Sequence, residues 1–326
     1  MVTVEAPGAP VFWYEGAMSL PTATLGRTGL TVTTLGYGAM ELRGPAGGRG
    51  REIDDATAGR ILNAVLDAGI SLIDTSPDYG RSEELIGTYL AARRDEFVLT
   101  TKCGCPVSPD GRPTSGEHVF SRENVRAGVE QSLRRMRTDH LDAVQFHLSP
   151  SWSTLMAHDS VAELQDLQRE GKVRFIGMSG TLPAIEEHIA TGIFDVFQIP
   201  YSALERDHEE IISRAARAGA GTIIRGGVAR GAPVADPERI RRLPGRFAEA
   251  YAARRERFER ARLAELAEGM TPMEFMLRFT ISHPDLHTTI VGTANPEHLA
   301  ANLEAAAKGP LPDDLYQEAK RRLAAA

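Results

Sequence analysis

The feature that most constrains this chain is a regular alternation of short apolar runs with amphipathic segments, repeated eight times. Runs such as residues 97–101 and 141–146 have the length of buried strands, whereas segments such as 58–68 and 209–218 carry apolar residues at helical spacing. Short apolar strands that alternate with helices predict parallel strand pairing with both faces covered. Eight such units without a break predict an α/β fold, a closed (β/α)8 barrel rather than an open sheet.

The chain length of 326 residues lies within the range of a single barrel domain. We predict one barrel domain over residues 21–326, preceded by an N-terminal extension over residues 1–20. Two short alternating runs flank Gly26-Arg27-Thr28-Gly29 and predict a β-hairpin before the barrel. Ser121 is predicted to cap a helix, and extra helices are predicted at the C-terminal end.

Composition and charge exclude several classes of protein. The net charge of −7 argues against a nucleic-acid partner. No apolar run is long enough to span a bilayer, and the absence of a basic residue before Arg27 argues against a signal peptide. Cys103 and Cys105 are too close for an ordinary disulfide framework, and two thiols cannot close a structural zinc site. We therefore expect a reduced, cytoplasmic protein with no membrane partner and no metal site.

Four chemically active side chains are predicted to meet at one end of the barrel. Asp74 ends the second strand, Lys102 the third and His147 the fourth, while the turn after the second strand presents Tyr79. Every strand of such a barrel brings its C-terminal end to the same face, so these side chains converge. Each has a commoner structural explanation on its own, as a helix cap, a surface lysine, a loop histidine or a surface tyrosine. Their occurrence at neighbouring strand ends favours an active site.

The chemistry of these groups suits the reduction of a carbonyl. A free tyrosine has a pKa of about 10, and a neighbouring Lys102 ammonium is expected to lower the pKa of Tyr79. Asp74 would pair with Lys102, and a neutral His147 would hydrogen-bond a carbonyl oxygen. No side chain supplies hydride, so a cofactor is required. A Rossmann domain is not expected, because no G-x-G-x-x-G follows a strand.

The sequence resembles the aldo-keto reductase superfamily over about residues 22–308. The three blocks that match the family's catalytic motifs are Asp74-Thr-Ser-Pro-Asp-Tyr79-Gly, Thr101-Lys102 and Asp142-Ala-Val-Gln-Phe-His147. Further matches are Gly177-Met-Ser179, Gln198-Ile-Pro-Tyr201-Ser and Gly292-Thr-Ala-Asn-Pro-Glu-His298. The resemblance implies a nicotinamide-dependent reductase of an aldehyde or ketone. Tyr79 would be the acid, Asp74 and Lys102 would tune it, and His147 would orient the substrate.

The resemblance also implies a set of cofactor contacts. Ser179 and Gln198 would hold the nicotinamide carboxamide, Tyr201 would stack on the nicotinamide ring, and Asp74 would lie beside them. The side of the cleft would be lined by Gly38, Ala39 and Met40. The pyrophosphate would be approached by Arg225, Gly226, Gly227 and Val228. The adenosine end would be held by Gly292, Thr293, Ala294, Asn295, His298 and Asn302. The chain departs from the family at Gly180, where relatives often carry Asn, and at Gly226-Gly227-Val228, where many carry Ser-Pro-Leu.

The choice of nicotinamide depends on the last barrel loop. Relatives often place Lys or Arg there to meet the 2′-phosphate of NADP(H), but residues 292–298 contain neither. Asn295 and Pro296 fit the cap and first position of a helix, whose N-terminus favours an anion, and His298 adds charge when protonated. We predict NADP(H), with NAD(H) as the alternative.

Two other functions fit the same residues. One is a regulatory or cofactor-sensing barrel with little turnover, like the potassium-channel β subunits of this superfamily. The other is a barrel aldolase that uses Lys102 as a Schiff base. Substrate specificity for a small-molecule carbonyl is expected to come from the loops over residues 43–51, 104–116 and 149–158, where Trp152 would line the pocket. The oligomeric state is not predicted.

Overall fold

Eight parallel strands close into a barrel in the computed structural model, which describes residues 19–44, 53–107, 117–235 and 245–326, together with residues 238 and 240. An antiparallel hairpin precedes the barrel and consists of β1 (Thr22–Thr24) and β2 (Thr31–Thr33). The barrel strands are β3 (Leu35–Gly38), β4 (Leu72–Asp74), β5 (Val98–Cys103), β6 (Leu141–Phe146), β7 (Val173–Ser179), β8 (Val196–Pro200), β9 (Gly221–Arg225) and β10 (Thr288–Val291). They follow one another around the barrel in chain order, and β10 closes it by pairing with β3. The predicted (β/α)8 fold and hairpin are confirmed.

Helices surround the barrel and connect its strands. They are α1 (Asp55–Asp67), α2 (Ser82–Leu90), α3 (Arg122–Met136), α4 (Trp152–Ala157), α5 (Ser160–Arg169), α6 (Ala184–Thr191), α7 (Glu209–Arg217), α8 (Gly245–Arg260), α9 (Leu263–Leu266), α10 (Pro272–Ile281), α11 (Pro296–Ala307) and α12 (Asp313–Ala325). Ser121 caps α3 as predicted, because its side chain accepts a hydrogen bond from Asn124 N. None of the helices in the described ranges has the length and apolarity needed to cross a bilayer.

The hairpin closes the N-terminal end of the barrel. Leu25 and Val32 are fully buried and pack against residues near the starts of strands, including Leu72, Val98 and Val196. Gly26 lies directly against β9, since a Cβ there would come within 2.3 Å of Gly221 N. This end of the barrel is therefore filled by apolar side chains, and the C-terminal end is left to carry polar groups.

Some boundaries differ from the sequence predictions. Lys102 lies within β5 rather than ending it, because the strand continues to Cys103. The segment 149–158, expected to be a specificity loop, contains α4, which forms because Ser151 caps it and Leu155 anchors it in the core. Most of the expected loops 43–51 and 104–116, and residues 1–18 of the expected extension, lie outside the described residues.

The contact between α2 and α3 gives a test of the packing. A Cβ at Gly87 would lie 2.1 Å from Arg135 O, so we expect Gly87→Ala to lower the free energy of unfolding by about 1–3 kcal/mol. Gly128 on α3 is the matched control, because its Cβ would meet only Val107 Cγ2 at 3.6 Å. Gly128→Ala should be neutral or stabilising by up to about 1 kcal/mol. Urea unfolding of both variants measures the difference, and equal stabilities would contradict the packing described.

Candidate active site

The carboxylate of Asp74 lies at the centre of the C-terminal mouth of the barrel. Its Oδ1 accepts hydrogen bonds from Thr100 Oγ1 (2.7 Å), Lys102 Nζ (2.6 Å), Gln145 Nε2 (3.1 Å) and Gln198 Nε2 (2.8 Å). The donors come from β5, β6 and β8, and Asp74 itself is only 2% exposed. A buried carboxylate requires such partners, because burial of an unpaired charge is costly.

The position of these donors follows from the register of the strands. Asp74 pairs with Thr100 across β4 and β5, and Lys102 pairs with Gln145 across β5 and β6. Alternate residues of a strand point to the same face, so Thr100 and Lys102 both point into the barrel. The register of three adjacent strands therefore places these polar groups together.

Lys102 is a buried ammonium that is fully engaged by its neighbours. It is 0% exposed, and its Nζ donates to Thr75 O at 2.9 Å as well as to Asp74. A Schiff-base lysine needs an accessible, unprotonated amine. This arrangement therefore gives no support to the aldolase alternative.

Tyr79 and His147 lie beside this ion pair. The turn that presents Tyr79 is held by a hydrogen bond from Tyr79 N to Ser76 O at 3.0 Å, and it continues through Gly80 at a φ of +50°. The Tyr79 ring centroid lies 5.9 Å from Lys102 Nζ and 6.3 Å from the ring centroid of His147. The structure thus brings together all four residues that the sequence nominated.

The pKa of Tyr79 corrects one expectation. Burial, followed by the negative charges of Asp74 and Asp78, raises the pKa of the phenol above its ordinary value, and the charge of Arg225 only partly opposes this. The expected net lowering of the Tyr79 pKa is therefore wrong, because burial and the two carboxylates outweigh the effect of the nearby Lys102 ammonium. The phenol consequently stays protonated at neutral pH, which is the form of a proton donor.

His147 is a neutral imidazole with one crowded nitrogen. Burial lowers its pKa to about 3, although the nearby Asp78 carboxylate acts in the opposite direction. Its Nδ1 lies 3.1 Å from His118 Nε2 and 3.5 Å from Cys105 Sγ. No residue in the described ranges hydrogen-bonds its Nε2, so that nitrogen is left for a ligand.

Polar groups at the ends of β7 and β8 form a hydrogen-bonded row that begins at Asp74. Ser179 Oγ donates to Gln198 Oε1 at 3.1 Å, and Gly180 N donates to Gln198 O at 3.1 Å. A Cβ at Gly180 would lie 3.2 Å from Ser149 Oγ, so this position is already crowded. The tight packing gives a physical reason for glycine where relatives often carry Asn.

Tyr201 directly follows β8, but its side chain is buried among other aromatic residues. It is 1% exposed, its ring packs edge-on against His283 at 5.3 Å, and its hydroxyl lies 3.3 Å from that of Tyr316. A ring without an exposed face cannot stack on a ligand in this arrangement. Stacking of Tyr201 on a nicotinamide ring, which the resemblance implied, stays a prediction and would require the ring to become exposed.

The last residue of β9, Arg225, places a positive charge near the mouth. Burial lowers the pKa of Arg225, and the carboxylates of Glu205 and Asp74 act against this effect. No hydrogen bond or ion pair joins the Arg225 side chain to another described residue. Gly226 has a φ of +75° and open space around its Cβ position, whereas Gly227 is a glycine for packing reasons, since a Cβ there would lie 2.6 Å from Thr289 Oγ1. The next residue, Val228, packs against the core.

The loops after β3 and β10 lie side by side. Gly292 lies directly against Gly38. A Cβ added to Gly292 would be only 2.4 Å from Gly38 O, so no larger residue fits there. Ala39 and Met40 begin a short 3-10 helix over Ala39–Arg43, and Tyr37 Oη donates to Thr293 O at 2.7 Å.

Helix α11 begins as the sequence predicted. Asn295 caps it by accepting from Glu297 N at 2.8 Å, and Pro296 occupies its first turn. Ala294 and Asn302 are partly buried, and His298 is exposed.

Comparison with known proteins assigns the chain to a family. The sequence model of the Aldo/keto reductase family matches residues 34–322. The chain belongs to this family. As an aldo/keto reductase it is an oxidoreductase of a class that reduces carbonyl compounds with a nicotinamide cofactor.

Individual aldo/keto reductases and oxidoreductases are similar over long stretches. An aldo-keto reductase from Bacillus halodurans, solved in its holo form, superimposes with a TM-score of 0.78 at 25% identity, covering 93% of this chain and 96% of that one. The uncharacterized oxidoreductase YqkF of Bacillus subtilis is 26% identical over 295 residues, covering 86% of this chain and 90% of its own. The NADH-specific methylglyoxal reductase of Escherichia coli is 32% identical over 200 residues, covering 57% and 60%.

Sequence reasoning missed part of the site of this aldo/keto reductase. Thr100 and Gln145 lie inside strands. Their only sequence signal is the spacing of two residues, which puts Thr100 on the same face as Lys102 and Gln145 on the same face as Ala143. The contact of Cys105 and His118 with His147 had no sequence signal, because it joins different loops.

A double-mutant cycle tests the Asp74–Lys102 pair. We expect Asp74→Asn to lower the free energy of unfolding by about 3–5 kcal/mol, because the buried ammonium loses its counter-charge. Adding Lys102→Met should recover part of this loss, so the double variant should be more stable than the sum of the two single effects predicts. Guanidinium unfolding measures all four proteins. Glu259→Gln, which breaks the exposed pair with Arg255, is the control and should change little. Strict additivity would contradict the coupling.

Proposed function

We propose that this chain is a cytoplasmic, NADPH-dependent reductase that converts the carbonyl of a small aldehyde or ketone to an alcohol, with Tyr79 as the general acid. The observation that carries the proposal is the buried Lys102–Asp74 ion pair, with a separation of 2.6 Å, beside Tyr79 and His147 at the barrel mouth. A phenol, an ammonium and a neutral imidazole in one pocket suit proton donation to a carbonyl oxygen.

Each of these residues has a distinct task in the proposed reaction. The Tyr79 hydroxyl holds the proton, and its raised pKa keeps the proton in place until a carbonyl oxygen gains negative charge. When the proton leaves, the Lys102 ammonium, 5.9 Å from the ring centroid, stabilises the phenolate. His147 would donate from Nε2 to the same oxygen and orient the substrate. The bound nicotinamide supplies the hydride.

The residues present fit a nicotinamide dinucleotide. The polar pair Ser179 and Gln198 suits a carboxamide, because it offers both a hydroxyl and an amide next to Asp74. Arg225, which has no partner among the described residues, and the open Gly226 suit a pyrophosphate. The capped N-terminus of α11 suits the adenosine phosphate.

Replacement of the proposed acid tests the assignment. Tyr79→Phe keeps the ring and removes the proton, so we expect kcat to fall by about 100-fold or more with little change in cofactor affinity. The substrates are a panel of aldehydes, ketones and aldoses that includes methylglyoxal, the substrate named for the E. coli relative. The matched control is Tyr89→Phe on α2, which should leave kcat unchanged.

Two outcomes would overturn the proposal. A near-normal kcat for Tyr79→Phe would show that another group donates the proton. Tight cofactor binding by the unaltered protein, with no turnover on any member of the panel, would favour the regulatory barrel instead. Cofactor affinity measured by fluorescence titration distinguishes these outcomes from simple misfolding.

The preference for NADPH is tested at His298. This exposed side chain lies in the first turn of α11, where it would face the 2′-phosphate, and residues 292–298 carry no Lys or Arg. We expect kcat/KM to favour NADPH by about tenfold, equivalent to about 1.4 kcal/mol. His298→Ala should lower kcat/KM for NADPH several-fold and leave the value for NADH unchanged, so NADH serves as the internal control. A clear preference for NADH, the cofactor named for the E. coli methylglyoxal reductase, would reverse the assignment.

A further inference from the structure

We propose that Asp78, Cys105, His118 and His147 form a binding site for a zinc-type divalent cation beside the proposed catalytic groups. One ligand atom from each of these four residues lies within 4.8 Å of the others. The set contains two imidazole nitrogens, one sulfur and one carboxylate oxygen. Cys103 and Cys105 alone cannot form a zinc site, and for that reason none is expected from the sequence; Asp78, His118 and His147 supply the further ligands.

Four of the six separations between the ligand atoms are close to those of a tetrahedral site, and the two from Asp78 to Cys105 and to His118 are within 4.8 Å. His118 Nε2 and His147 Nδ1 are 3.1 Å apart, and Cys105 Sγ lies 3.5 Å from each of these nitrogens. Asp78 Oδ2 lies 3.5 Å from His147 Nδ1. Zinc binds nitrogen at about 2.0–2.1 Å and sulfur at about 2.3 Å, so neighbouring ligand atoms of a tetrahedron lie about 3.3–3.7 Å apart. The two imidazole nitrogens and the Cys105 sulfur are thus already spaced for one cation, and Asp78 would complete the set by moving toward them.

The fold holds these residues together from several elements. Asp78, Cys105 and His147 follow β4, β5 and β6, which are adjacent in the barrel. His118 comes from the segment before α3. That segment is joined to the end of β5 by hydrogen bonds from Val119 N to Gly104 O (2.8 Å) and from Asn124 Nδ2 to Cys105 O (3.1 Å).

The donor atoms are available for a cation. His118 Nε2 and His147 Nδ1 face each other at 3.1 Å, and a neutral imidazole offers a lone pair at such a nitrogen. Ser76 Oγ donates to Asp78 Oδ1 at 2.5 Å, and Asp78 Oδ2 lies 3.5 Å from His147 Nδ1. Cys105 is a buried free thiol, and on binding it would release its proton to solvent and coordinate as the thiolate.

The chemistry of the set selects the kind of ion. One carboxylate and one thiolate balance the charge of a divalent cation in a buried site. Two nitrogens and a sulfur favour zinc, or cobalt as its substitute, over magnesium and calcium, which prefer oxygen ligands. Four protein ligands complete the tetrahedron, as in a structural rather than a catalytic zinc site.

The cation would also fix the tautomer of the His147 imidazole. A metal at Nδ1 leaves the ring hydrogen on Nε2, the nitrogen without a partner in the described part of the chain. The ring would thus be fixed as a hydrogen-bond donor toward a carbonyl oxygen. This consequence depends on the proposed reductase function, whereas the cation site itself does not.

Cobalt binding to the full-length protein tests the site. After removal of bound metal with a chelator, titration with Co²⁺ should give one equivalent of binding, a thiolate-to-cobalt charge-transfer band and the intense d–d bands of tetrahedral cobalt. Zn²⁺ should abolish these bands by displacement. Zn²⁺ should also raise the thermal unfolding temperature, as any ligand that binds only the folded state does.

Matched variants identify the ligands. Cys105→Ala should remove the charge-transfer band, and both Cys105→Ala and His118→Ala should weaken Zn²⁺ binding by about 100-fold or more. Cys103→Ala and His140→Ala remove a thiol and an imidazole outside the cluster and should bind Zn²⁺ as the unaltered protein does. His118→Gln offers a milder change if the alanine variant unfolds.

The outcomes separate this proposal from the proposed function. Absence of saturable binding by the unaltered protein, or binding that survives loss of both Cys105 and His118, would overturn the metal site. Tyr79→Phe should still bind Co²⁺ with the same spectrum, because Tyr79 is not a ligand. If Tyr79→Phe loses turnover and no metal binds, only the metal site is overturned. If Tyr79→Phe retains turnover and metal binds, only the assignment of Tyr79 as the acid is overturned.

Discussion

The site depends on one carboxylate oxygen, Asp74 Oδ1, which gathers four donors from three strands of the barrel. Because this oxygen pairs with the Lys102 ammonium, a full positive charge can lie buried, 5.9 Å from the centroid of the Tyr79 ring. Gln198 is 124 residues away from Asp74 in sequence, so the network exists only when the barrel is closed. Fold and chemistry are thus linked through a single buried acceptor, and a half-barrel that ended before β8 would lack the hydrogen bond from Gln198.

Around that centre, burial sets the protonation states more strongly than the neighbouring charges do. Burial keeps the proton on Tyr79 and keeps His147 neutral, even though Asp78 lies 3.5 Å from His147 Nδ1. A desolvated pocket therefore holds two neutral polar groups beside a compensated ion pair. This is a low-dielectric environment in which a small change of charge on a ligand oxygen has a large effect.

Local patterns in the sequence were sufficient for the barrel and for the four residues at its mouth. Strand periodicity placed Asp74 and His147 at strand ends, and cap residues placed Ser121 and Asn295 at helix starts, because these features depend on nearby residues. The burial of Tyr201 was not predicted, because it depends on Tyr316 and His283, which are distant in sequence. The approach of Cys105 and His118 to His147 likewise depends on how three loops pack.

The hairpin at the opposite end of the barrel has a kinetic consequence. Leu25 and Val32 seal that end, so every small molecule that reaches Asp74 must arrive and depart through the same opening. In the proposed reductase, cofactor and substrate would share this opening. Whichever of them binds deeper would then enter first and leave last, which gives the proposed reaction an ordered sequence of binding and release.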